Sequence, residues 1–313
     1  MPLSFLLHPP RAATVSSRVL KRGKIPAQFP GWSQILDVVR AHLRAEAGGA
    51  ALAQGNSLEL LDALAVKFPD GCFDCIFADP PYFLSNGGIT CHAGKMVKVD
   101  KGDWDKSKGP ELNHEFNTEW LRRCQRVLKP NGTLWVTGTH HVIFSVGYAM
   151  QQLGMKILND IAWEKPNPPP NLSCRYFTHS TETILWAAKN EKSRHTFNYK
   201  LMRAHADNKQ MKTVWRLKSP ATVEKKHGKH PTQKPLALIE RCLLASTNAG
   251  EFVLDPFLGG GTTAVAGIRT GRKVLGIEAE EKHMALSVAR VKGEEEGGRG
   301  LFNRSLHVSD NSG

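Results

Sequence analysis

Hydrophobic residues recur along this chain with two different periods, and the alternation of these periods predicts an α/β protein. Apolar residues three and four positions apart predict helices, because such residues share one face of a helix. Short apolar runs bounded by turn residues predict strands of a buried sheet. The helical pattern covers residues 32–46, 58–68, 115–128, 142–153, 236–245 and 262–269, with a last helix ending near 292. Strand-like runs cover residues 51–54, 72–78, 133–137, 157–163, 182–187, 252–255 and 273–278.

Strands and helices alternate in both the first and the last third of the chain, which is typical of βαβ units and hence of a mostly parallel, twisted sheet. We expect one main domain over residues 46–292, preceded by a basic N-terminal extension over 1–45. A polar, Gly-rich and flexible tail is expected over 293–313. Residues 85–109 are rich in Gly and Lys and have no clear period, so we expect a long functional loop there.

Lys and Arg outnumber Asp and Glu by 42 to 29, which gives a net charge of +13. A charge of this sign favours polyanionic partners, and nucleic acid is the natural candidate. Between residues 189 and 228, basic, aromatic and polar residues mix without periodicity, and we expect an insertion that recognises DNA. Its candidate DNA-binding residues are Lys200, Arg203, Lys209, Lys212, Arg216 and Lys218.

Membrane and metal functions find little support in the residue pattern. No apolar run approaches the about 20 residues that a transmembrane helix needs, so we expect no membrane segment and a cytoplasmic location. Cys72 and Cys75 have the spacing of a zinc-ligand pair, but the run around them predicts a strand. Because residues three apart on a strand point to opposite faces, we expect no metal site there.

A glycine-rich turn, with the sequence DPFLGGGTT over residues 255–263, joins a strand-like run to a helix. Glycines let the backbone approach a ligand closely, and the amino end of the helix offers free N–H groups. Glu278 ends the next strand, where an acidic side chain can hold both ribose hydroxyls of a nucleoside. We expect a nucleoside-bearing cofactor; the alternative is a structural turn beside a solvated strand end. A complete G-x-G-x-x-G fingerprint is absent, which disfavours nicotinamide cofactors.

A second candidate site, Asp79-Pro80-Pro81-Tyr82, directly follows the strand-like run 72–78. The prolines fix the backbone and remove two amide donors, so carbonyl and carboxylate oxygens form a rigid rim that only accepts hydrogen bonds. Such a rim suits an exocyclic base amine, which has two N–H donors, while Tyr82 stacks on the base. The alternative is a proline-stiffened loop with a buried tyrosine.

These two motifs, in this order, resemble the beta class of DNA amino-methyltransferases from restriction-modification systems. The resemblance covers residues 54–291 and includes NLSCRYFTH at 171–179 and KHPTQKP at 229–235. Within this class, the chain resembles methylases of GATC and AAGCTT sites. This resemblance implies a Rossmann-like fold that depends on S-adenosylmethionine, with a circularly permuted motif order.

The resemblance also implies roles for individual residues. Asp255, Phe257, Gly259, Gly261, Thr262 and Thr263 would line S-adenosylmethionine, Glu278 would hold its ribose, and Thr232 and Lys234 would lie near its methionine end. Asn56, beside Ser57, stands where the family usually has an acidic residue near the cofactor adenine, so a charge is lost there. Asp79, next to the cofactor, would hold the target base together with Pro80, Pro81 and Tyr82.

We expect direct in-line methyl transfer to adenine N6 in DNA, after the target base has left the helical stack. Transfer to cytosine N4 is the nearest alternative, because an Asp rim can accept from either amine. Methylation of RNA or of a protein amine, and a DNA-binding module without catalysis, are more distant alternatives. The resemblance also suggests a homodimer and a cognate restriction endonuclease. The substrate DNA can be double-stranded or single-stranded.

Overall fold

The computed structural model describes residues 29–85, 89–92, 95–98, 105–228 and 230–306. Within them, side chains are described except at 89–92, 95–98 and 297–306. Most of the expected basic extension, residues 1–28, lies outside this range. None of the helices in the described part is both long and apolar enough to cross a bilayer.

The described residues contain eight α-helices and eleven strands. The helices are α1 (Trp32–Val39), α2 (Ser57–Lys67), α3 (Pro110–Val127), α4 (Ile143–Gln152), α5 (Tyr199–Ala204), α6 (Leu236–Ser246), α7 (Thr262–Thr270) and α8 (Glu281–Leu306). The strands are β1 (Leu43–Ala47), β2 (Ala50–Gln54), β3 (Phe73–Ala78), β4 (Ile89–His92), β5 (Lys95–Lys98), β6 (Leu128–Gly138), β7 (Lys156–Glu164), β8 (Thr181–Ala188), β9 (Val214–Arg216), β10 (Phe252–Asp255) and β11 (Lys273–Glu278).

Nine of these strands form one mixed sheet in the order β1-β2-β11-β10-β3-β6-β8-β7-β9. Strands β2, β11, β10, β3 and β6 are mutually parallel, whereas β8 is antiparallel to both β6 and β7. The expected α/β fold with a mostly parallel sheet is therefore confirmed. The permuted order is visible as well, because β3 and β10 are neighbours in the sheet although β3 comes far earlier in the chain.

Two apolar layers cover the two faces of the sheet. Helices α1 to α4 pack on one face, and α6 and α7 pack on the other. Trp135 of β6 and Trp186 of β8 stack on the second face with ring centroids 4.7 Å apart. Cys72 and Cys75 are buried in different layers, as the strand spacing predicts.

Some predicted elements differ in extent. The helix predicted over residues 32–46 ends at Val39, and the chain then forms β1, which pairs antiparallel with β2. Gly48 and Gly49, both at positive φ, make the turn between these strands. The N-terminal boundary predicted at residue 45 thus runs through β1. Its sequence LRAEA alternates in burial, and this period of two indicates a strand rather than a helix.

The two segments predicted to lack regular structure contain some. Within residues 85–109, β4 and β5 form a two-stranded antiparallel hairpin. Within residues 189–228, α5 and β9 dock onto the domain, and Met202 and Trp215 are buried in the second layer. Helix α8 runs to Leu306, well beyond the predicted end near 292, and Arg269 of α7 pairs with its Glu294 at 2.6 Å.

Candidate active site

Both candidate motifs lie at the carboxyl edge of the parallel strands. Asp79 follows β3 and Asp255 ends β10, and these neighbouring strands run parallel with Val253 paired to Cys75. A cavity of about 980 Å³ opens at this edge. The predicted residues that line it are Asn56, Ser57, Asp79, Pro81, Thr232, Lys234, Asp255, Phe257, Gly259, Thr262, Thr263 and Glu278.

Three predicted site residues are not among those that line the cavity. Pro80 and Tyr82 are buried, and Tyr82 is only 6 % exposed. Gly261 caps α7 at φ +76°, where a Cβ atom would lie 2.9 Å from Ser287. The stacking of a base on Tyr82 stays a prediction, and in this conformation the ring face is covered.

The glycine turn is held open by side chains that reach it from α8. Ser287 donates to the carbonyl oxygen of Gly259 at 2.8 Å, and Arg290 donates to the carbonyl of Gly260. A Cβ atom on Gly259 would lie 3.1 Å from the His230 ring, so a larger residue would crowd this cradle. The turn therefore leaves room for a ligand to approach its backbone closely.

Glu278, at the end of β11, already organises the backbone around the cavity. Its carboxylate accepts from the amide of Gly259 at 2.7 Å and from the amide of Glu280 at 2.8 Å. Burial raises its pKa above the ordinary value. The carboxylate also lines the cavity, where its oxygens can accept from the two hydroxyls of a ribose.

Asn56 serves the fold as well as the cavity. Its side-chain oxygen accepts from the amide of Leu58 at 3.0 Å and so caps α2, and its amide nitrogen donates to Glu59 at 2.9 Å. Ser57 donates to the carbonyl of Pro256 at 2.5 Å. The acceptor oxygen expected near a cofactor adenine is thus shared with a helix cap.

Asp255 presents a buried carboxyl group to the cavity. Burial raises its pKa to about 7, and the nearby carboxylates of Asp79 and Glu278 act in the same direction. The amide of Phe257 donates to it at 3.0 Å. A cationic ligand group bound beside Asp255 would favour the ionised form and so gain affinity.

The carboxylate of Asp79 is the centre of a hydrogen-bonded cluster. One oxygen accepts from Tyr82 at 2.8 Å and from Thr137 at 2.6 Å. The other oxygen accepts from Lys234 at 2.6 Å. The second oxygen therefore keeps a lone pair for a further donor from the cavity.

Glu182, at the start of β8, supports this cluster from behind. It lies 3.3 Å from the Tyr82 hydroxyl and 3.7 Å from the Lys234 ammonium, and it also pairs with Lys165. Burial alone would raise its pKa, but the two ammonium groups outweigh burial and lower it. For Lys234, burial alone would lower the pKa. The carboxylates of Asp79 and Glu182 outweigh burial and raise the pKa, so the ammonium stays charged.

Asp105 fixes the backbone that follows the Asp-Pro-Pro-Tyr motif. Its buried carboxylate accepts from the amides of Tyr82 at 2.9 Å and Phe83 at 2.8 Å, and from the Ser85 hydroxyl at 2.9 Å. Phe83 sits at φ +58°, which is uncommon for a residue with a side chain. The anchored carboxylate holds this turn against the cost of that conformation.

Several of these residues are not among the predicted site residues. Thr137, Glu182, Lys165 and Asp105 reach the site through sheet order and loop closure rather than through a local motif. Gln233 lies inside the KHPTQKP segment, which is the signal that points to it. Its side-chain oxygen is buried beside the cavity and has no hydrogen-bond partner within the described part of the chain.

The six predicted DNA-binding side chains are all exposed, but the fold separates them. Arg216 is the last residue of β9 and Lys218 follows it closely, and between them the amide of Leu217 donates to the carbonyl of Glu164 at the site edge. Lys200 and Arg203 lie on α5, whose preceding Asn198 bonds to Leu244 at the far end of α6. Lys209 and Lys212 lie in the chain segment that joins α5 to β9.

Comparisons with known proteins agree with this geometry. A family model for N6/N4 methyltransferases, described as DNA methylase, matches residues 73–289. The chain is 58 % identical over 231 residues to the Type II methyltransferase M2.DpnII of Streptococcus pneumoniae, covering 74 % of this chain and 86 % of that relative.

Solved structures show the same fold. The M1.HpyAVI complex with S-adenosylmethionine is 27 % identical, with a TM-score of 0.60, over 77 % of this chain and 98 % of that one. The cytosine-N4-specific PvuII DNA methyltransferase is 18 % identical, with a TM-score of 0.62, over 81 % of this chain and 95 % of that one, a likeness of fold alone. The match to the family model over most of the domain, together with the identity to M2.DpnII, shows that the chain belongs to the N6/N4 DNA methylase family.

Proposed function

We propose that this protein transfers a methyl group from S-adenosylmethionine to the N6 amine of adenine at specific sites in DNA. The observation that carries the proposal is that the acceptor rim of Asp79 and the glycine turn near Glu278 open on one cavity. A cofactor held at the turn and a base held at the rim would therefore meet.

The residues of the cavity fit S-adenosylmethionine. Glu278 has lone pairs for its ribose hydroxyls, and the buried Asp255 suits its ammonium group. Gln233 offers an unpaired acceptor oxygen, and the Gly259 cradle admits a ligand close to the backbone. When bound, the cofactor supplies an electrophilic methyl group on a sulfonium.

The acceptor oxygens around Asp79 would orient the base amine for reaction. A base amine is a poor nucleophile, because its lone pair is delocalised into the ring. The free lone pair on the Lys234-bonded oxygen of Asp79 accepts one amine hydrogen, and the Pro80 carbonyl accepts the other. This geometry directs the amine lone pair toward the cofactor, so transfer is direct and in line.

After transfer, the methylated amine loses its proton to solvent. The methylated amine is strongly acidic, so early removal by a base is unnecessary. Lys234 cannot take the proton, because its raised pKa keeps it protonated. We therefore assign Asp79 to positioning and charge stabilisation, with Lys234, Thr137 and Tyr82 fixing its orientation.

DNA contacts are proposed for the basic residues of the 189–228 segment. Arg216 and Lys218, at the site edge, are the best placed to bind phosphates near the target base. Lys209 and Lys212 extend this surface, whereas Lys200 and Arg203 on the far side would need DNA to wrap around the domain. A duplex must release the target base first, at a cost of a few kcal/mol.

The name of a relative supports a proposal about the setting of this activity. M2.DpnII is named a Type II methyltransferase, and we infer that this protein likewise modifies DNA beside a cognate restriction endonuclease in a bacterial cytoplasm. A homodimer is proposed from family resemblance. Cytosine N4 is the second candidate target, since the PvuII enzyme shares the fold.

The test is to incubate the protein with labelled S-adenosylmethionine and unmethylated bacterial DNA, digest the DNA and identify the labelled nucleoside by mass spectrometry. We expect N6-methyladenine. Labelled 4-methylcytosine would overturn the base assignment alone. Absence of label in DNA, with cofactor binding measured in the same sample, would overturn the proposed function.

A further inference from the structure

The loop that joins β7 to β8 exposes aromatic side chains next to the catalytic cluster. Residues 172–179 are all exposed. Phe177 is 96 % exposed and Tyr176 is 61 % exposed. We call residues 166–179 the β7–β8 loop. Tyr176 and Phe177 are consecutive, and neighbouring exposed apolar side chains that form one patch are typical of a binding surface.

The β7–β8 loop is organised by its own hydrogen bonds. The Asn171 side chain donates to the carbonyl of Tyr176 at 2.6 Å and accepts from the amide of Ser173 at 3.0 Å. Cys174 sits at φ +51°, a conformation that turns the chain sharply. Tyr176 and Phe177 are thus held outward before any ligand binds, so that ordering this loop on binding costs little further entropy.

The ends of the loop are fixed at the active site. The amide of Lys165 donates to the carbonyl of Ser180 at 2.8 Å, which closes the loop. Lys165 also pairs with Glu182, which lies 3.3 Å from the Tyr82 hydroxyl. The aromatic side chains therefore project from the same edge at which Asp79 meets the cavity.

The surroundings of the loop suit a polyanion. The β7–β8 loop contains Arg175 and no Asp or Glu, whereas Lys165 before it is already paired with Glu182. The His179 ring stacks on that of His140, with centroids 4.6 Å apart, and His140 follows β6 close to Thr137. A duplex can place phosphates against these residues while its bases face the aromatic pair.

We propose that Phe177 is a wedge that enters the base stack of duplex DNA and fills the space left by the target base. The proposal rests on the proposed function, since the target base must leave the stack to reach Asp79. Apolar side chains inserted between base steps unstack them, and a ring that replaces the extruded base restores part of the stacking. Tyr176 and Arg175 steady the neighbouring bases and backbone.

The experiment compares initial rates of label transfer to native and to heat-denatured unmethylated bacterial DNA. For Phe177→Ala we expect about a tenfold loss on native DNA, the size that stacking on one aromatic ring provides. On denatured DNA the rate should stay within about twofold, because no stack has to be opened. Phe177→Trp should keep the rate on native DNA.

Val66→Ala is the matched control, since Val66 is 77 % exposed but lies in the last turn of α2, toward the opposite edge of the sheet. It should leave both rates unchanged. Equal losses on both DNA forms, or no loss on either, would overturn the wedge. So would a wild-type protein that labels denatured DNA only, a result that leaves the proposed function intact. A wild-type protein that labels neither form overturns the proposed function itself.

Discussion

The ammonium nitrogen of Lys234 lies 2.6 Å from a carboxylate oxygen of Asp79, although 155 positions separate the two residues in the chain. Lys234 is buried, and its ammonium also lies 5.2 Å from the centroid of the Tyr82 ring. Family resemblance predicts Lys234 near the methionine end of the cofactor. The residue does line the cavity, and its direct partner is Asp79, which we propose holds the base.

Lys234→Met should lower the single-turnover rate of methyl transfer by about a hundredfold, because Asp79 loses the donor that fixes one of its oxygens. Glu182 would also lose a counter-charge. The dissociation constant for S-adenosylmethionine should change much less than the rate. Lys209→Met, at an exposed lysine, is the control. A rate that follows cofactor affinity in parallel would assign Lys234 to cofactor binding instead.

Asp79→Ala should abolish methyl transfer and leave cofactor binding largely intact, because Glu278, Asp255 and the glycine turn are unchanged. Equilibrium binding of S-adenosylmethionine and rapid-quench transfer measure the two properties separately. Asp207→Ala, on an exposed turn, controls for the loss of a surface carboxylate. Measurable turnover in the Asp79 variant would exclude the positioning role.

Sequence periodicity predicts most of the sheet, because buried parallel strands appear as short apolar runs. The two strand-end motifs are equally visible, since each is a contiguous stretch at the end of such a run. Family resemblance adds Thr232 and Lys234, which carry no local signal. The alternation in LRAEA shows that even β1 has a strand pattern, but it competes with a helical spacing that begins in α1.

The residues that support Asp79 are not revealed by sequence periodicity. Glu182 reaches Tyr82 only because β8 inserts antiparallel between β6 and β7, and periodicity does not determine strand order. Asp105 binds the amide of Tyr82, although 23 positions separate the two residues in the chain. Long-range pairing of charges depends on the assembled sheet, so these residues emerge only from the structure.

Arg216→Ala with Lys218→Ala should weaken DNA binding and reduce the slope of log affinity against log salt by about 2, as two phosphate contacts are lost. Lys200→Ala with Arg203→Ala, at the far end of α6, removes the same charge and should change the slope far less. Binding to a non-specific duplex across a salt titration measures both. Equal effects of the two pairs would show that DNA follows the whole 189–228 surface.

Gly71→Ala should destabilise the fold by on the order of 3 kcal/mol. Gly71 has φ +85°, and a Cβ atom there would lie 2.0 Å from the carbonyl oxygen of Leu128. Gly154 has φ +67° with nothing within 4 Å of its Cβ position, so Gly154→Ala should cost only about 1 to 2 kcal/mol. Urea unfolding measures both, and equal costs would mean that β6 shifts to admit the methyl group.

Cofactor affinity should depend on pH through Asp255. Burial raises the pKa of this carboxyl to about 7, above its unfolded value of 3.8, so folding favours the protonated form between these two pH values. The contribution of Asp255 to stability is therefore largest at low pH and declines as pH rises toward about 7. A bound cation reverses this preference, because the cation interacts with the ionised form.

Binding of S-adenosylmethionine below pH 7 should accordingly release a proton, and affinity should rise as pH increases from 5.5 to 7.5. Calorimetry in two buffers of different ionisation enthalpy measures the released proton directly. Asp255→Asn keeps the shape of the side chain and cannot ionise, so it should bind more weakly and lose this component of the pH dependence. Other groups of the cavity, Glu278 and His283 among them, titrate in both proteins and cancel in the comparison. If the variant keeps the full pH dependence, a group other than Asp255 takes up the proton in the free protein.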